Sequence, residues 1–425
     1  MNNKNIILFI NSASAGSIES IKQYARKTKQ RIRIGVIRDA KKKDWKKKAD
    51  DRGVDILFSG DLDKPLEIKK MLVHYQREFL AITCRGESNM AAFIKVIPHV
   101  PYLKTPTVQS ILWSTDKIYM RRMFRAYDKK IAPKFTIVSG KGKNSIKKIK
   151  DKVGFPLIMK PAGLAASLLV TVCYHEEELA ANLKKIFRQI KKIYKDNKRE
   201  IVPKILVEQM MEGETYSVDA YVSSRGKVYF CPLVHFTTGQ SIGIDDFFCY
   251  KRITPTTLNK ESVAKAEEVA KKAIYALGLR SSTAHIELIK TNDGWKIIEI
   301  GPRIGGFRAE MYRLSYNIDH CLNDVLIRIP QKPIISKKVK GYAAALKFYA
   351  KKEGRLVSLR GIKKAQDLKS FIDIKIYRKI GDRCRFAKHG GKAVCDLVLF
   401  NKKRSDLLAD IRRVEKMIEI KTSRG

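Results

Sequence analysis

Two isoleucine-rich runs, Ser282-Thr-Ala-His-Ile-Glu-Leu-Ile and Trp295-Lys-Ile-Ile-Glu-Ile, are separated by Thr291-Asn-Asp-Gly294. A turn of this composition between β-branched runs dictates an antiparallel hairpin. No other stretch constrains the fold as much, because the hairpin brings Glu287 and Glu299 side by side on neighbouring strands. Alternation places His285 and Glu287 on one face of the first strand. Glu299, Gly301 and, if the extended conformation persists, Arg303 share a face of the second.

Adjacent carboxylates repel unless a cation lies between them. Their hard oxygens suit Mg²⁺, which keeps several waters and takes the rest of its shell from nucleotide phosphates. A forked, permanently charged guanidinium beside such an ion suits the charge that develops when a phosphoryl group passes to a carboxylate and an amine attacks. Taken alone, the pair is also compatible with a solvated surface hairpin, so the rest of the chain has to decide.

Upstream, Ile6 to Ile10, a helical pattern from Ile18 to Ala25, and runs at Ile32 to Ile37, Asp55 to Phe58 and Phe79 to Thr83 alternate as strand and helix. That alternation predicts a parallel α/β domain over residues 1–103. Its first loop holds one glycine, Gly16, and lacks the G-x-G-x-x-G pattern, which disfavours a dinucleotide site. Beyond Pro98, Pro101 and Pro106, Asp116 to Tyr127 reads as a helix carrying Lys117, Arg121, Arg122 and Arg125. Strands are expected at Pro156 to Lys160, Ile205 to Glu208, Tyr216 to Val222 and Lys227 to Pro232, with a lysine-rich helix from Glu176 to Tyr194, an antiparallel α+β pattern over 104–330. Ile329-Pro330-Gln-Lys-Pro333 reads as a linker. A third unit, 335–425, follows with strands at Gly341 to Tyr349, Ile372 to Tyr377 and Ala393 to Phe400 and a closing helix whose apolar face is Leu407, Leu408, Ile411, Val414 and Ile418.

Lys160 ends an apolar strand and precedes the small-residue loop Pro161-Ala-Gly-Leu-Ala-Ala-Ser167, a setting in which a lysine meets phosphate as a point charge. Glu208 leads into Gln-Met-Met211-Glu-Gly213-Glu214, a strand end offering backbone polar groups and methionine surface to an adenine.

These segments resemble the ATP-grasp family of carboxylate-amine ligases. The motifs stand in the family's order: Asp116-Lys117 with Arg121; Gly154-Phe-Pro-Leu-Ile-Met-Lys160-Pro161; Ile205-Leu-Val-Glu208 through Gly213-Glu214-Thr-Tyr-Ser-Val-Asp219; then His285, Glu287, Glu299, Arg303, Gly305 and Gly306. The resemblance implies an α/β and α+β protein: a pre-ATP-grasp parallel α/β domain, a two-lobed ATP-grasp domain and a small C-terminal α+β lid domain like that of L-amino-acid ligases. It implies ATP and Mg²⁺, with Mn²⁺ as a substitute. Lys117 and Lys160 would contact the nucleotide phosphates, Glu208 and Met211 the adenine, Glu214 the ribose, and Glu287 and Glu299 the metal. Arg303 would face an acyl phosphate, making it and Lys160 the catalytic cations. The substrates would be a small carboxylate and an amine, amino acids among them. The chain departs from the pattern at Gly301, where many members carry an Asn that completes metal coordination, at the single Gly163 after Lys160, and at Thr215, where the ribose acid commonly stands.

Charge leaves one further class open. With 87 Lys and Arg against 43 Asp and Glu, the formal charge is +44, enough to attract nucleic acid or other polyanions. The short runs, such as Lys41 to Lys43, Lys46 to Lys48 and Lys147-Lys148, are spread through every region without interleaved aromatics, the pattern of a solvated surface. The alternatives to the ligase are therefore a nucleic-acid-associated protein on an idle ATP-grasp fold and a carboxylase-type ATP-grasp enzyme. Seven dispersed cysteines, none spaced as a zinc pair, and no apolar run approaching 18 residues predict a cytoplasmic protein without a membrane partner. A homodimer is the symmetry expectation.

Overall fold

The structure is a computed structural model that describes residues 4–41, 51–162, 168–196, 202–244 and 246–423. The lysine runs within 42–50 and the loop glycine Gly163 lie outside the described residues. The chain begins with β1 (Ile6–Ile10), α1 (Ala15–Lys27), β2 (Arg33–Asp39), β3 (Ile56–Gly60) and β4 (Phe79–Thr83). These strands pair in parallel in the order β3-β2-β1-β4. All five residues of β1 are buried, as expected of an inner parallel strand covered on both faces. The loops after β1 and β4, at the carboxyl edge of this sheet, turn toward the rest of the molecule.

Helix α2 (Lys117–Tyr127) starts where the sequence predicts: the Asp116 side chain accepts from the Ile118 and Tyr119 amides at 2.7 and 3.1 Å, closing the orphan donors of the first turn. It leads to an antiparallel four-stranded sheet of β5 (Phe135–Val138), β6 (Leu157–Pro161), β7 (Thr171–Cys173) and β8 (Ile205–Gln209), in the order β5-β8-β6-β7. Helix α3 (Glu176–Asp196) covers it with Leu179, Leu183, Ile186 and Ile190.

A second, nine-stranded sheet holds β9 (Glu214–Val222), β10 (Val228–Phe230), β11 (Val234–Thr238), β12 (Cys249–Thr254), β13 (Ser282–Thr291), β14 (Gly294–Gly301), β15 (Tyr342–Phe348), β17 (Phe371–Ile376) and β19 (Cys395–Asn401). Its order is β14-β13-β9-β11-β12-β15-β19-β17, with β10 on β9. Helix α4 (Lys260–Ala276) packs Ala266, Ala270, Ala273 and Ile274 against its β13–β14 end. Strands β16 (Gly354–Arg360), β18 (Arg383–Cys384) and β20 (Glu419–Thr422) make a small separate sheet, and α6 (Arg404–Met417) covers β15 and β19. Between them in the chain, α5 (Arg308–Tyr316) follows directly on the 303–306 loop.

The sheet is continuous across residue 330: β12, before the linker, pairs with β15, after it. The linker itself is anchored, since the Asn323 side chain brackets Ile334 by accepting from its amide at 2.7 Å and donating to its carbonyl at 2.8 Å. The hairpin β11–β12 and helix α4 have no counterpart in the sequence reading, although Gly239 and Gly243 stand in the hairpin's connection and Asn259 caps the helix by accepting from the Ser262 amide at 2.8 Å. All seven cysteines are unbridged.

Candidate active site

Glu287 and Glu299 are direct partners in the β13–β14 register, with a bulge immediately after Glu287. Both are half-exposed, on a strand β13 that is mostly buried and a strand β14 that buries Trp295, Ile297, Ile300 and Gly301, so the hairpin presents two carboxylates on a largely apolar scaffold. Each has its own counter-group. The Lys117 ammonium lies 2.9 Å from Glu299 Oε1, and His285 Nε2 lies 3.5 Å from Glu287 Oε1. Burial opposes the charge of Lys117, yet the Glu299 carboxylate keeps its pKa above the ordinary value. Burial likewise opposes the charge of Glu287, but the His285 imidazole, with Arg252 and Arg303 farther off, holds that carboxyl down at about 2. Both groups therefore stay ionised at neutral pH.

His285 is itself held. Its Nδ1 is 2.6 Å from Asp219 Oδ1, while Asp219 Oδ2 accepts from His320 Nε2 at 2.7 Å and from the Gly305 amide at 2.8 Å. Asp219 is fully buried; against that cost, the two imidazoles hold its carboxyl well below the usual carboxylate range. Gly305 is required at this point, since a Cβ there would come within 2.3 Å of His285 Nδ1. The chain Asp219–His285–Glu287 thus fixes the orientation of one member of the carboxylate pair. Asp219 and His285 stand in the family motif, but their pairing and the part of His320 were not legible.

On α2, Lys117 and Arg121 are four residues apart and share a helix face. Lys117 meets Glu299; Arg121 donates to the Ile298 carbonyl at 2.6 Å and to Glu208 Oε1. Glu208 and Lys160 are diagonal neighbours on one face of β8 and β6, and Lys160 Nζ lies 2.6 Å from Glu208 Oε2. Glu208 is only 1% exposed. Burial alone would raise its pKa, but Arg121 and Lys160 together hold it at about 2. This departs from the expectation that Glu208 faces an adenine: its carboxylate is taken up by two cations and its backbone by β5 and β6 on either side. Met211 lies half-buried just beyond β8. Glu214 begins β9, exposed, and accepts from Tyr216 Oη at 2.7 Å. It reaches this place because Gly213 crosses so close to β13 that a Cβ would lie 2.0 Å from the Lys290 carbonyl oxygen.

Arg303 does not continue β14. The strand ends at Gly301 and the Arg303 amide turns back to donate to the Gly301 carbonyl at 2.8 Å, so the extended conformation does not reach it. The turn swings its side chain to the loop after β4, where Nε donates to Glu87 Oε2 at 2.6 Å. Glu87 follows β4, and Arg85 beside it donates to the Cys321 carbonyl at 2.6 Å and lies 3.5 Å from buried Asp324. A cavity of about 310 Å³ lies between these groups, lined by Ser14, Arg85, Glu87, Arg303, Gly306 and Cys321 among others. Glu87 and Arg85 escaped the sequence reading, although the carboxyl edge of a parallel sheet is where ligand-facing loops are expected.

Among the described residues no three His, Cys, Asp or Glu side chains gather so as to hold a metal unaided. Two carboxylates in register are instead the donor set of an ion that completes its shell from phosphate and water, so they fit Mg²⁺ or Mn²⁺. Among the described residues no helix is long and apolar enough to cross a membrane.

Residues 153–310 match the ATP-grasp domain family. Over 295 residues the chain is 29% identical to an alanine--anticapsin ligase of Bacillus amyloliquefaciens, covering 65% of this chain and 60% of that protein. Over 234 residues it is 26% identical to a D-alanine--D-alanine ligase of Thermoanaerobacter sp. (strain X514), covering 53% and 61%. The chain spans between 46% and 60% of the length of the first curated relatives it matches. Its fold is that of a crystal structure of L-amino acid ligase from Bacillus licheniformis, with a TM-score of 0.74, 15% identity and complete coverage of both chains.

Proposed function

With an ATP-grasp domain at residues 153–310 as premise, we propose that this protein is an ATP-dependent carboxylate-amine ligase acting on small substrates that include amino acids. The observation that carries the reading is the in-register pair Glu287 and Glu299 with Lys117 on Glu299 and the Arg303 charge felt by both, while Arg121 ties the Glu208–Lys160 pair to the Ile298 carbonyl next to Glu299. Relatives named for joining alanine to anticapsin and D-alanine to D-alanine support the substrate class.

In this reading the substrate carboxylate attacks the terminal phosphorus of ATP, the bond to the bridging oxygen breaks, and ADP leaves. The amine then attacks the acyl phosphate, loses a proton, and expels inorganic phosphate to leave an amide. Lys160 and Lys117 bind the ATP phosphates as point charges, with Glu208 holding Lys160 in place. Met211 packs on the adenine and Glu214 receives the ribose. Glu287 and Glu299 hold Mg²⁺ or Mn²⁺, which supplies Lewis-acid neutralisation of the transferring phosphoryl group. Arg303, released from Glu87, faces the acyl phosphate and compensates the charge that grows there.

The division into 1–103, 104–330 and 335–425 belongs to the same proposal, the third segment forming a wall of the site by extending the sheet through β15, β19 and β17. Purified protein given ATP, Mg²⁺ and pairs of amino acids should release ADP and phosphate in step with amide product. AMP and pyrophosphate as the nucleotide products would replace this mechanism with adenylation.

A further inference from the structure

The nine-stranded sheet ends on β17, which pairs with β19 on one side only. The ladder shows which main-chain groups are left over. The Tyr377 amide donates to the Val394 carbonyl at 2.8 Å, and the same register sets Lys375 on Asp396 and Asp373 on Val398. Residues 373, 375 and 377 therefore turn their N–H and C=O groups inward to β19, and Ile374 and Ile376 turn theirs outward. Among the described residues no backbone group other than those of β19 pairs with 372–376. An edge left open in this way is a template for another strand.

Edges are normally blunted by charge, a bulge or a cover. Here the bulge falls at Ile372, at the amino end of the strand, and leaves 373–377 regular. The one lysine, Lys375, has Asp373 beside it at 3.8 Å, so the pair adds no net charge. Phe371 and Ile374 pack against the cluster that holds Leu407 and Ile411 of α6, whereas Ile372, Ile376 and Tyr377 are 37%, 50% and 50% exposed.

This edge is complementary to itself. Phe371-Ile-Asp-Ile-Lys-Ile-Tyr377 carries a charge, an isoleucine and an aromatic ring at equal distances either side of Ile374, and the two charges are of opposite sign. Paired residues of an antiparallel ladder both turn their main-chain groups toward it or both away. A two-fold axis between two such edges therefore passes through a residue rather than between residues. Through Asp373 or Lys375 it would set like charges opposite. Through Ile374 it sets Asp373 against Lys375 of the second copy and the reverse, with Ile372 against Ile376 and Phe371 against Tyr377. Ile374 falls on the axis itself, where its outward amide and carbonyl exchange hydrogen bonds with those of its counterpart.

We propose that β17 is a self-association edge, through which two copies of this chain join antiparallel about a two-fold axis at Ile374 into one continuous sheet. The inference does not depend on the ligase reading. Each cross-strand pair is weak by itself, and a contact of one strand a side falls short of the standard interface of roughly 1,600 Å², so the dimer is expected to dissociate in the range of about 1–100 μM. Two chains of formal charge +44 repel each other at long range. At about 0.15 M salt the Debye length of about 8 Å screens that repulsion far more than it screens opposite charges in contact.

The test is sedimentation velocity of the full chain from about 1 to 100 μM at that salt concentration. Wild type should pass from monomer to dimer across the range. Asp373→Lys and Lys375→Asp each set like charges opposite at two symmetry-related places, and each should weaken dimerisation at least about 10-fold. The double variant Asp373→Lys/Lys375→Asp restores the alternation with the signs exchanged, and should return to within about 3-fold of wild type. These side chains are 44% and 65% exposed, so the substitutions leave the core intact, and circular dichroism checks the fold. A wild type that stays monomeric at the highest concentration would overturn the proposal. A dimer of unchanged strength in all three variants would place the interface elsewhere and overturn it too. So would a double variant that dimerises no better than the single ones.

Discussion

Glu208→Gln isolates the ion cluster on which the Lys160 site is built. The carboxylate is 1% exposed and bridges Arg121 and Lys160, themselves 3% and 15% exposed at the side chain. The amide keeps the shape and removes the charge, leaving two largely buried cations without an anion. Breaking a buried ion pair from one side costs about 3–5 kcal/mol. Linkage gives a second figure. The ordinary carboxyl value of 4.5 is lowered to about 2 in the folded protein, and 2.5 units correspond to roughly 3 kcal/mol.

The sign follows from the depressed value: the stabilisation is fully present above the unfolded pKa and is lost as pH falls through the folded one. The difference between wild type and Glu208→Gln should therefore be about 3 kcal/mol at pH 7 and shrink to roughly 1.4 kcal/mol at pH 3, because a protonated Glu208 and a glutamine carry the same charge. Hydrogen-exchange protection of the Ile205–Gln209 amides under mild urea is the suitable assay, since it reports the opening of this sheet rather than of the whole chain. A difference below about 1 kcal/mol at pH 7, or one that stays constant from pH 7 to pH 3, would refute the argument that Arg121 and Lys160 hold a buried carboxylate ionised.

Glu299→Gln should lower turnover at least about 100-fold, or about 2.7 kcal/mol in the barrier. Turnover near wild type across a Mg²⁺ titration would mean that the hairpin carboxylates are structural. Arg303→Ala should leave the ATP dissociation constant within a few-fold while kcat falls on the order of 10² to 10³, as when one transition-state donor is removed. Lys160→Ala should weaken ATP binding itself, and calorimetric titration beside steady-state kinetics of both variants would expose a reversal of the two roles.

The parts of the site that could be read from sequence are those whose geometry is local. A two-residue turn between isoleucine-rich strands fixes the register of Glu287 against Glu299 within a span of a dozen residues, and an Asp116 cap fixes where Lys117 and Arg121 sit on their helix. Where the chain bends, the period of two stops being informative: Arg303 lies two residues past the end of β14, and the reversal at Gly301 sends it to Glu87 after β4.

The choice of partner for each charge is a question of long-range closure, which neither propensity nor periodicity encodes. Arg303 meets Glu87 across 216 positions and Lys160 meets Glu208 across 48. With 87 cations on the chain, the rarer sign is the informative one once the fold is known. A buried acid has few reasons to exist unless a cation is assigned to it. Glu208 and Asp219 have theirs from within the chain, and Asp324 has Arg328 at 3.2 Å. Asp396 has its cations at longer range, Lys347 at 3.8 Å with Arg252 and Lys375 beyond it, and the Tyr377 hydroxyl donates to it at 3.1 Å, so here too the balancing charge comes from segments far away in the sequence.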